Sequence, residues 1–402
     1  MERLIFHVDV NNAFLSWESM YRITKLHEDL DLRTVPSIVG GDRESRHGIV
    51  LAKSLPAKAY GIQTAQTIQS ALNKCPHLII VPPRFEIYHK CSEDFLKILS
   101  DFTPDLEKVS IDEAFLDMTE TCHLFGNFHD AAKQLKNRIR DELFFTVNIG
   151  VSTNKLLAKM ASDFQKPDLV HSLFPNEIER KMWPLPVSEL YFVGRSAQKK
   201  MHLLGIHTIG DLAHFDPSLL ISHFGDKYGT LIYKYANGIA DDKICSDNKL
   251  NKGYGNSVTL SEDVTSYETA RQVLLSLSET IGMRLRADQV KCNSITVELK
   301  DSDFNTQSHQ MTLLVSTNIT NVIFETSYTL LKEFWQPTTP LRLLGIRTSK
   351  ISTSNFNQLT LFSNVDECNQ KKQEQLEVCL DKIRNKYGSN SIQRASIINT
   401  KK

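Results

Sequence analysis

The most informative part of this chain reads Lys108-Val109-Ser110-Ile111-Asp112-Glu113-Ala114-Phe115-Leu116-Asp117. Its two adjacent carboxylates lie inside a run of strand-forming apolar residues, and a third carboxylate, Asp9, ends another such run at residues 4–8. Buried carboxylates repel one another and are costly to remove from water. Two strands that bring Asp9, Asp112 and Glu113 together therefore predict a divalent-metal site. Oxygen ligands suit Mg²⁺ or Mn²⁺, and such ions commonly act on phosphates.

Taken alone, an Asp-Glu pair is more often a solvated turn between two strands, so the surrounding sequence must decide between a turn and a metal site. Strand-like and helical patterns alternate over residues 1–167, as in an α/β domain. Ser152 and Thr153 are expected to cap a helix that stops at Lys166-Pro167. The expected strands are 4–8, 37–39, 48–52, 78–81, 109–116 and 146–151, and the clearest helices are 93–99 and 131–142.

The rest of the chain changes pattern twice. Short helices with glycine turns occupy residues 168–236 and suggest two helices joined by a tight hairpin, and residues 237–251 are polar and predict a linker. A second α/β pattern follows, with a helix over 270–285, strands at 293–299 and 310–315, a helix at 321–334 and a strand at 341–347. This order predicts a split βαβ layout. The tail carries one amphipathic helix, with Leu376, Leu380 and Ile383 on one face.

Composition limits the class of protein. No apolar run approaches the roughly 20 residues that cross a bilayer, and no signal peptide precedes the first strand, so we expect a cytoplasmic protein with no membrane partner. The seven cysteines form no CxxC pair, which favours reduced thiols over disulfides or a zinc site. The 47 basic and 47 acidic residues cancel, so any nucleic-acid binding must depend on local patches.

Three segments resemble the motifs of the Y-family translesion DNA polymerases, in the DinB/UmuC superfamily and nearest the bacterial polymerase IV type. The first is His7-Val8-Asp9-Val10-Asn11-Asn12-Ala13-Phe14, and the second is residues 110–117. The third is Gly150-Val151-Ser152-Thr153-Asn154-Lys155-Leu156-Leu157-Ala158-Lys159-Met160-Ala161-Ser162, which runs on to Lys166-Pro167. The resemblance covers nearly the whole chain.

The resemblance implies a right-hand polymerase of α/β and α+β domains. Its parts would be a discontinuous palm (1–18 and 78–167), fingers (19–77), a helix-hairpin-helix thumb (168–236), a linker (237–251), a split βαβ little finger (252–350), and a clamp-binding peptide with a helical tail (351–402).

The resemblance also implies the catalytic groups. Asp9, Asp112 and Glu113 match the metal-binding carboxylates, and the backbone carbonyl of Val10 would be a further ligand. Two Mg²⁺ ions are implied, and Mn²⁺ can substitute. One ion would lower the pKa of the primer 3′-hydroxyl, and the other would bind the triphosphate and steady the pyrophosphate that leaves.

Phe14 matches the steric gate that excludes a ribose 2′-hydroxyl, although a lone Phe at such a position is ordinarily a core residue. The chain departs from many relatives at Leu55 (often Tyr), Lys58 (often Arg), Asn11 (often Asp) and Ala13 (often aromatic). For Lys58 and Lys166 taken singly, the alternative is a solvated surface charge. The nucleotide-binding residues implied are Asn11, Asn12, Ala13, Phe14, Ser54, Lys58 and Lys166.

DNA contacts are implied for the hairpin of the thumb, where backbone N–H groups at a helix N-terminus bind phosphates. Gly194, Arg195 and Lys199 match this motif, whereas Phe192 replaces a frequent glycine, and a simple helix-packing turn is the alternative. In the little finger, Arg284, Arg286, Lys291, Arg342 and Arg347 would have to cluster to contact DNA.

The segment Gln358-Leu359-Thr360-Leu361-Phe362 resembles the peptide that binds the sliding clamp, with Gln358, Leu359, Leu361 and Phe362 as contacts. The function implied is low-fidelity, template-directed DNA synthesis past lesions by a monomer. Its partners would be primer-template DNA, deoxynucleoside triphosphates and the clamp, which is the β subunit of the replicative polymerase. Two alternatives stay open: a non-catalytic accessory protein, and a polymerase V-type subunit that needs a partner.

Overall fold

The structure is a computed structural model that describes residues 3–41, 48–240, 243–244, 251–353, 367–388 and 390–395. The chain divides into two compact units, one of residues 1–44 and 48–248, the other of residues 45–47 and 249–402. Among the described helices, none combines the length and the apolar character needed to span a membrane.

The first unit is mixed α/β. Its strands are β1 (Ile5–Val10), β2 (Ser37–Gly40), β3 (Val50–Lys53), β4 (Ile79–Val81), β5 (Leu106–Lys108), β6 (Glu113–Asp117), β7 (Val147–Ser152) and β8 (Val170–Ser172). Its α-helices are α1 (Ala13–Lys25), α2 (Leu55–Ala59), α3 (Ile68–Lys74), α4 (Phe85–Ser100), α5 (Phe128–Leu143), α6 (Lys155–Asp163), α7 (Ile178–Lys181), α8 (Arg195–Leu203), α9 (Ile209–His214), α10 (Pro217–Phe224) and α11 (Asp226–Ala236). Short 3₁₀ turns lie at Cys122–Phe125, Pro175–Glu177 and Val187–Glu189.

A five-stranded sheet in the order β5-β6-β1-β7-β8 forms the centre of this unit. Strand β1 is buried along its whole length, and successive side chains of a strand point to opposite faces. Phe6, Val8 and Val10 join the core formed with α1, α4 and α5. His7 and Asp9 point to the other face, where α6 lies. The alternation thus separates the apolar core from the polar residues of the sheet.

The close approach of α6 to the sheet depends on Gly150 in β7. A Cβ atom added there would lie 1.9 Å from the carbonyl oxygen of Ala158 and 2.4 Å from the amide nitrogen of Ser162. Any side chain at this position would push α6 away from β1 and β7. Gly150 therefore fixes how near the polar side chains of α6 come to Asp9.

Two local predictions were wrong in this region. Residues 109–116 do not form one strand, because residues 109–112 turn between β5 and β6. Ser110 Oγ donates to Asp112 Oδ1 at 2.6 Å, a local hydrogen bond that favours a turn over a ladder. The cap of α6 is Asn154, whose Oδ1 accepts from Leu157 N at 2.9 Å, and not Ser152 or Thr153. Ser152 instead donates to the carbonyl oxygen of Leu173.

The remaining parts of the first unit are smaller. A three-stranded sheet, β3-β2-β4, packs with α2 and α3 around Ile38, Val50 and Ile68. Helices α7 to α11 surround a separate apolar core that includes Met201 and Ile232. The described cysteines are free thiols. Cys379 is exposed, and the others are buried, namely Cys75, Cys91, Cys122 and Cys292.

The second unit contains β9 (Gly253–Val264), α12 (Tyr267–Ala287), β10 (Lys291–Asp301), β11 (Thr306–Thr317), α13 (Thr320–Phe334), β12 (Leu341–Ser352) and α14 (Glu367–Tyr387). Its strands form an antiparallel sheet in the order β11-β10-β12-β9, and α12 and α13 share its apolar core. Edge strand β9 was missing from the prediction. Gly253 and Gly255 at its start, and its largely solvent-facing residues, resemble a linker more than a strand.

The tail helix α14 packs on the second unit through charged residues. On the expected apolar face, Leu376 is 60% exposed, whereas Leu380 and Ile383 are half-buried. Glu377 is 5% exposed, lies 3.2 Å from Arg286 and accepts from Thr320 Oγ1 at 2.8 Å. Asp381 Oδ2 lies 2.6 Å from Arg286 Nε. Arg286 is thus held by the tail, which argues against the DNA contact considered for it.

Replacing Glu377 with alanine is expected to destabilise the second unit by about 1–3 kcal/mol, because it removes the acceptor of the buried Thr320 hydroxyl and one carboxylate of a buried ion pair with Arg286. Thermal unfolding followed by circular dichroism measures the change. Glu374→Ala is the matched control on the same helix, since Glu374 pairs with Lys291 near the surface and is expected to contribute about 0–1 kcal/mol. Equal losses in the two variants would contradict the role given to Glu377.

Candidate active site

The sheet brings the acidic residues together at one end of β1 and β6. Asp9 pairs directly with Glu113 in the antiparallel register, and Val10 N donates to the carbonyl oxygen of Asp112 at 3.0 Å. Asp9 is 7% exposed, and Val10 is buried beside it as the last residue of β1. The turn that contradicted the strand prediction is what places Asp112 next to the end of β1.

Two lysines lie against these carboxylates. Lys166 Nζ is 3.0 Å from Asp9 Oδ2, and Lys159 Nζ is 3.4 Å from Asp9 Oδ2 and 3.4 Å from Glu113 Oε1. Both ammonium groups also reach Asp163, at 2.9 Å from Lys166 and 3.3 Å from Lys159. Lys159 belongs to the third motif, but the resemblance implies no role for it. Its position is visible only once α6 is known to pack on the Asp9 face of the sheet.

His7 lies behind Glu113 and is fully buried. Its Nδ1 is 2.8 Å from Ser162 Oγ. Its Nε2 is 3.4 Å from Glu113 Oε2, a close polar contact whose geometry is not that of a hydrogen bond. Burial lowers the pKa of His7. The contact between His7 and Glu113 orients that carboxylate from the protein side.

The carboxylates differ in their electrostatics. The contact with His7, assisted by Lys159, lowers the pKa of Glu113 to about 2. Burial raises the pKa of Asp112, and the charges of Asp9 and Glu113 raise it further. A cation near Asp112 would relieve this repulsion.

The donor set fits a hard divalent ion. The oxygens of Asp9, Asp112 and Glu113 are the ligand type that Mg²⁺ and Mn²⁺ prefer. Among the described residues, no three His, Cys, Asp or Glu side chains converge as a ready metal cluster. The ammonium groups of Lys159 and Lys166 place positive charge 3.4 Å and 3.0 Å from Asp9 Oδ2.

Phe14 lies near the start of α1 and is half-buried. Its ring stacks on Tyr88 at 4.9 Å between centroids and meets the edge of Phe85 at 5.9 Å. Tyr88 is in turn fixed by a hydrogen bond from its hydroxyl to the buried Glu18, at 3.1 Å. These contacts hold the ring of Phe14 from behind.

The other residues of the first motif shape the turn before α1. Asn12 has φ 48° and is exposed, and Ala13 is buried in the core. Asn11 is 6% exposed, and its Nδ2 donates to Thr146 Oγ1 at 3.2 Å. This left-handed turn at Asn12 directs the chain from β1 into α1.

The geometry does not support a nucleotide contact from Ser54. Its hydroxyl is 1% exposed, donates to the carbonyl oxygen of Val35 at 2.7 Å, and accepts from Ala57 N and Ser37 N. A hydroxyl has one donor and two acceptor positions, and all are used here. Ser54 is the cap of α2, whereas Lys58 on the same helix is exposed.

The hairpin of the predicted thumb runs from the 3₁₀ turn at Val187–Glu189 into α8. Gly194 is the N-cap of α8, and Arg195 and Lys199 are exposed on the helix. Phe192 has φ 72° and is 56% exposed. It therefore adopts the left-handed conformation that glycine favours, at a strain of roughly 1–2 kcal/mol. The expected clamp contacts Gln358, Leu359, Leu361 and Phe362 lie outside the described residues.

Sequence models of protein families match most of the chain. Residues 8–163 match the impB/mucB/samB family, and residues 251–361 match the C-terminal domain of the same family. Residues 189–240 match the thumb domain described for DNA polymerase-iota. The matched ranges contain the three carboxylates Asp9, Asp112 and Glu113, helix α8 with its N-cap, and strands β9 to β12 of the second unit.

Similar proteins match this chain over nearly its full length. The chain is 44% identical to DNA polymerase IV of Clostridium acetobutylicum over 398 residues, covering 99% of each chain. It is 38% identical to DNA polymerase IV of Alkaliphilus oremlandii, covering 99% of this chain and 100% of the relative. The solved structure of a Y-family DNA polymerase chimera has the same fold, with a TM-score of 0.74 and 22% identity, covering 87% of this chain and 100% of the other.

Proposed function

The chain belongs to the impB/mucB/samB family of Y-family DNA polymerases, and from this premise we propose that it copies damaged DNA by two-metal nucleotidyl transfer. It is a DNA-directed DNA polymerase, and translesion synthesis is its general task. One observation carries the proposed mechanism: Asp9 and Glu113 are direct partners in the sheet, with Asp112 in the adjoining turn. Three carboxylates so placed can hold divalent ions at the growing primer end.

The proposed ligands are Asp9, Asp112 and Glu113 with the carbonyl of Val10. When bound, two Mg²⁺ or Mn²⁺ ions supply the charge that activates the primer hydroxyl and neutralises the triphosphate. His7, on the same face of the sheet, lies 3.4 Å from Glu113 and orients it. Lys166, at 3.0 Å from Asp9, is the residue that we propose for the β- and γ-phosphates, as a charge-assisted donor.

We propose that the hairpin before α8 holds the DNA duplex without reading its sequence. The free N–H groups beside Gly194 point out of the helix N-terminus, and Arg195 and Lys199 add positive charge nearby. The left-handed Phe192 preserves the hairpin path without a glycine. These contacts support binding to phosphates, which suits a polymerase that must move along any template.

We propose that Gln358, Leu359, Leu361 and Phe362 recruit the chain to the sliding clamp. The double variant Leu361→Ala, Phe362→Ala is expected to reduce clamp stimulation of primer extension about tenfold or more, because apolar anchors dominate such interfaces. Clamp stimulation is measured for each variant as its primer-extension rate with the clamp divided by its rate without the clamp. Thr353→Ala, near but outside the peptide, is the control. Undiminished stimulation in the double variant would rule out this peptide as the anchor.

Primer extension by the purified chain, with Mg²⁺ and an undamaged or lesion-containing template, tests the proposed function. Extension by the chain alone supports an enzyme that needs no partner subunit. Extension only with an added partner would favour the polymerase V-type alternative. A non-catalytic accessory role is disfavoured because all three carboxylates and Phe14 are present.

A further inference from the structure

Lys159 has contacts that set it apart from the other lysine of the site. Its side chain is 13% exposed, compared with 35% for Lys166. Lys159 touches two proposed metal ligands on neighbouring strands, Asp9 and Glu113, whereas Lys166 touches Asp9 alone of these ligands. Lys159 is thus the more buried cation and the one that bridges the two strands.

The fold forces Lys159 into this position. Asn154 caps α6, and Gly150 lets the helix approach the sheet closely. One helical turn of α6 then directs both Lys159 and Ser162 at the face of β1 that carries His7 and Asp9.

The charge balance explains what the ammonium group does there. Asp9, Asp112 and Glu113 bring three negative charges together, and such a cluster needs a counter-charge when no metal is bound. Lys159 Nζ lies 3.4 Å from Asp9 Oδ2 and 3.4 Å from Glu113 Oε1. Because a lysine ammonium is ordinarily charged at neutral pH, it supplies this counter-charge between the two strands.

Asp163 is a further partner for the Lys159 ammonium group when an ion binds at Asp9 and Glu113. Asp163 lies four residues along the same helix, 3.3 Å from Lys159 Nζ, and its side chain is 47% exposed. Lysine is a point charge on a flexible stem, so its ammonium can turn toward Asp163.

We propose that Lys159 is a built-in counter-ion of the catalytic site, which pairs with Asp9 and Glu113 and keeps them in register until a divalent ion displaces it toward Asp163. This inference rests on the proposed metal site. It makes Lys159 a positioning residue that competes with the metal. Removing its charge is therefore expected to tighten metal binding and to weaken the metal-free protein.

The test is a titration of the full chain with Mn²⁺, without DNA or nucleotide, followed by electron paramagnetic resonance of free Mn²⁺. Lys159→Met is expected to bind Mn²⁺ roughly three- to tenfold more tightly, because the ion no longer displaces an ammonium group. Its melting temperature in EDTA is expected to fall, and the rise on adding Mn²⁺ is expected to exceed that of the unaltered chain. Lys159→Arg, which keeps the charge, is expected to bind Mn²⁺ less tightly than Lys159→Met.

Lys155→Met is the matched control. Lys155 lies one turn earlier on α6 and pairs with Glu107 at 3.0 Å, outside the carboxylate cluster, so its loss is expected to leave Mn²⁺ affinity unchanged. Mn²⁺ affinity in Lys159→Met that equals or falls below that of the unaltered chain overturns the proposal. Should Lys159→Met not fold, Lys159→Gln is titrated with the same expectations. A failure of the proposed metal site itself is distinguished by Asp112→Asn. If that variant binds Mn²⁺ as tightly as the unaltered chain, the carboxylates do not form the metal site.

Discussion

Replacing Asp112 with asparagine is expected to slow primer extension by about a thousandfold or more. The amide keeps the size of the side chain but removes a charged ligand from the proposed site. Metal stabilisation of developing charge amounts to several kcal/mol, and each 1.36 kcal/mol is about tenfold in rate. The measurement is single-turnover extension of an annealed primer at saturating nucleotide and Mg²⁺. Asp112→Asn that extends primers at the unaltered rate would sink the two-metal assignment.

The matched control for this substitution is Glu107→Gln. Glu107 lies on β5 in the same hairpin and pairs with Lys155, so the variant also replaces one carboxylate of this hairpin with an amide. Its extension rate is expected to stay within a few-fold of the unaltered chain, because pairs near the surface contribute little. A thousandfold loss in both variants would indicate general damage to the hairpin. A loss confined to Asp112→Asn would locate the effect at the site.

Two strands of the central sheet, β1 and β7, were predictable because they are rich in apolar residues, whereas the short edge strands β5 and β8 were not predicted. Strand β1 and strand β7 are buried throughout, and both were expected within two residues of their observed bounds. The turn at residues 109–112 was not predictable from apolar content, because Val109 and Ile111 look like strand residues. What decides it is the local hydrogen bond from Ser110 to Asp112. Periodicity does not record such bonds.

The roles of side chains that act across the fold were harder to predict. Lys159 and His7 lie in quoted motifs, but their contacts with Glu113 exist only because α6 and β1 pack together. The tail helix was placed correctly along the chain, yet its attachment through Glu377 depends on the position of Arg286 in another element. Sequence patterns indicate which residues are apolar. They do not indicate which charges will meet.

A departure from a motif can also leave the backbone unchanged. Phe192 stands where the hairpin motif frequently has glycine, which made the hairpin itself doubtful. The backbone there keeps φ 72°, and the carbonyl oxygen of Phe192 accepts from the hydroxyl of Tyr228 at 2.9 Å. This hydrogen bond helps to offset the strain of the left-handed conformation. The absence of glycine therefore does not exclude the motif.

Replacing Phe14 with alanine is expected to increase the incorporation of ribonucleotides relative to deoxynucleotides by roughly 5- to 150-fold. A buried clash of this size is worth about 1–3 kcal/mol, which is lost when the ring is removed. Because Tyr88 and Phe85 support the ring of Phe14 from behind, it cannot retreat from an extra hydroxyl. The measurement compares single-nucleotide insertion of a ribonucleotide and the matching deoxynucleotide, each as kcat/KM.

The ratio of the two nucleotides separates a gate from a core aromatic residue. If Phe14 only fills the core, Phe14→Ala lowers stability and both insertion rates together, and their ratio stays constant. Phe14→Tyr keeps the ring and is expected to preserve sugar selectivity, whereas Phe144→Ala removes an exposed phenylalanine at the end of α5 and serves as the control. An unchanged ratio of ribonucleotide to deoxynucleotide insertion in Phe14→Ala would refute the gate, because steric exclusion of the 2′-hydroxyl by the ring must end when the ring is removed.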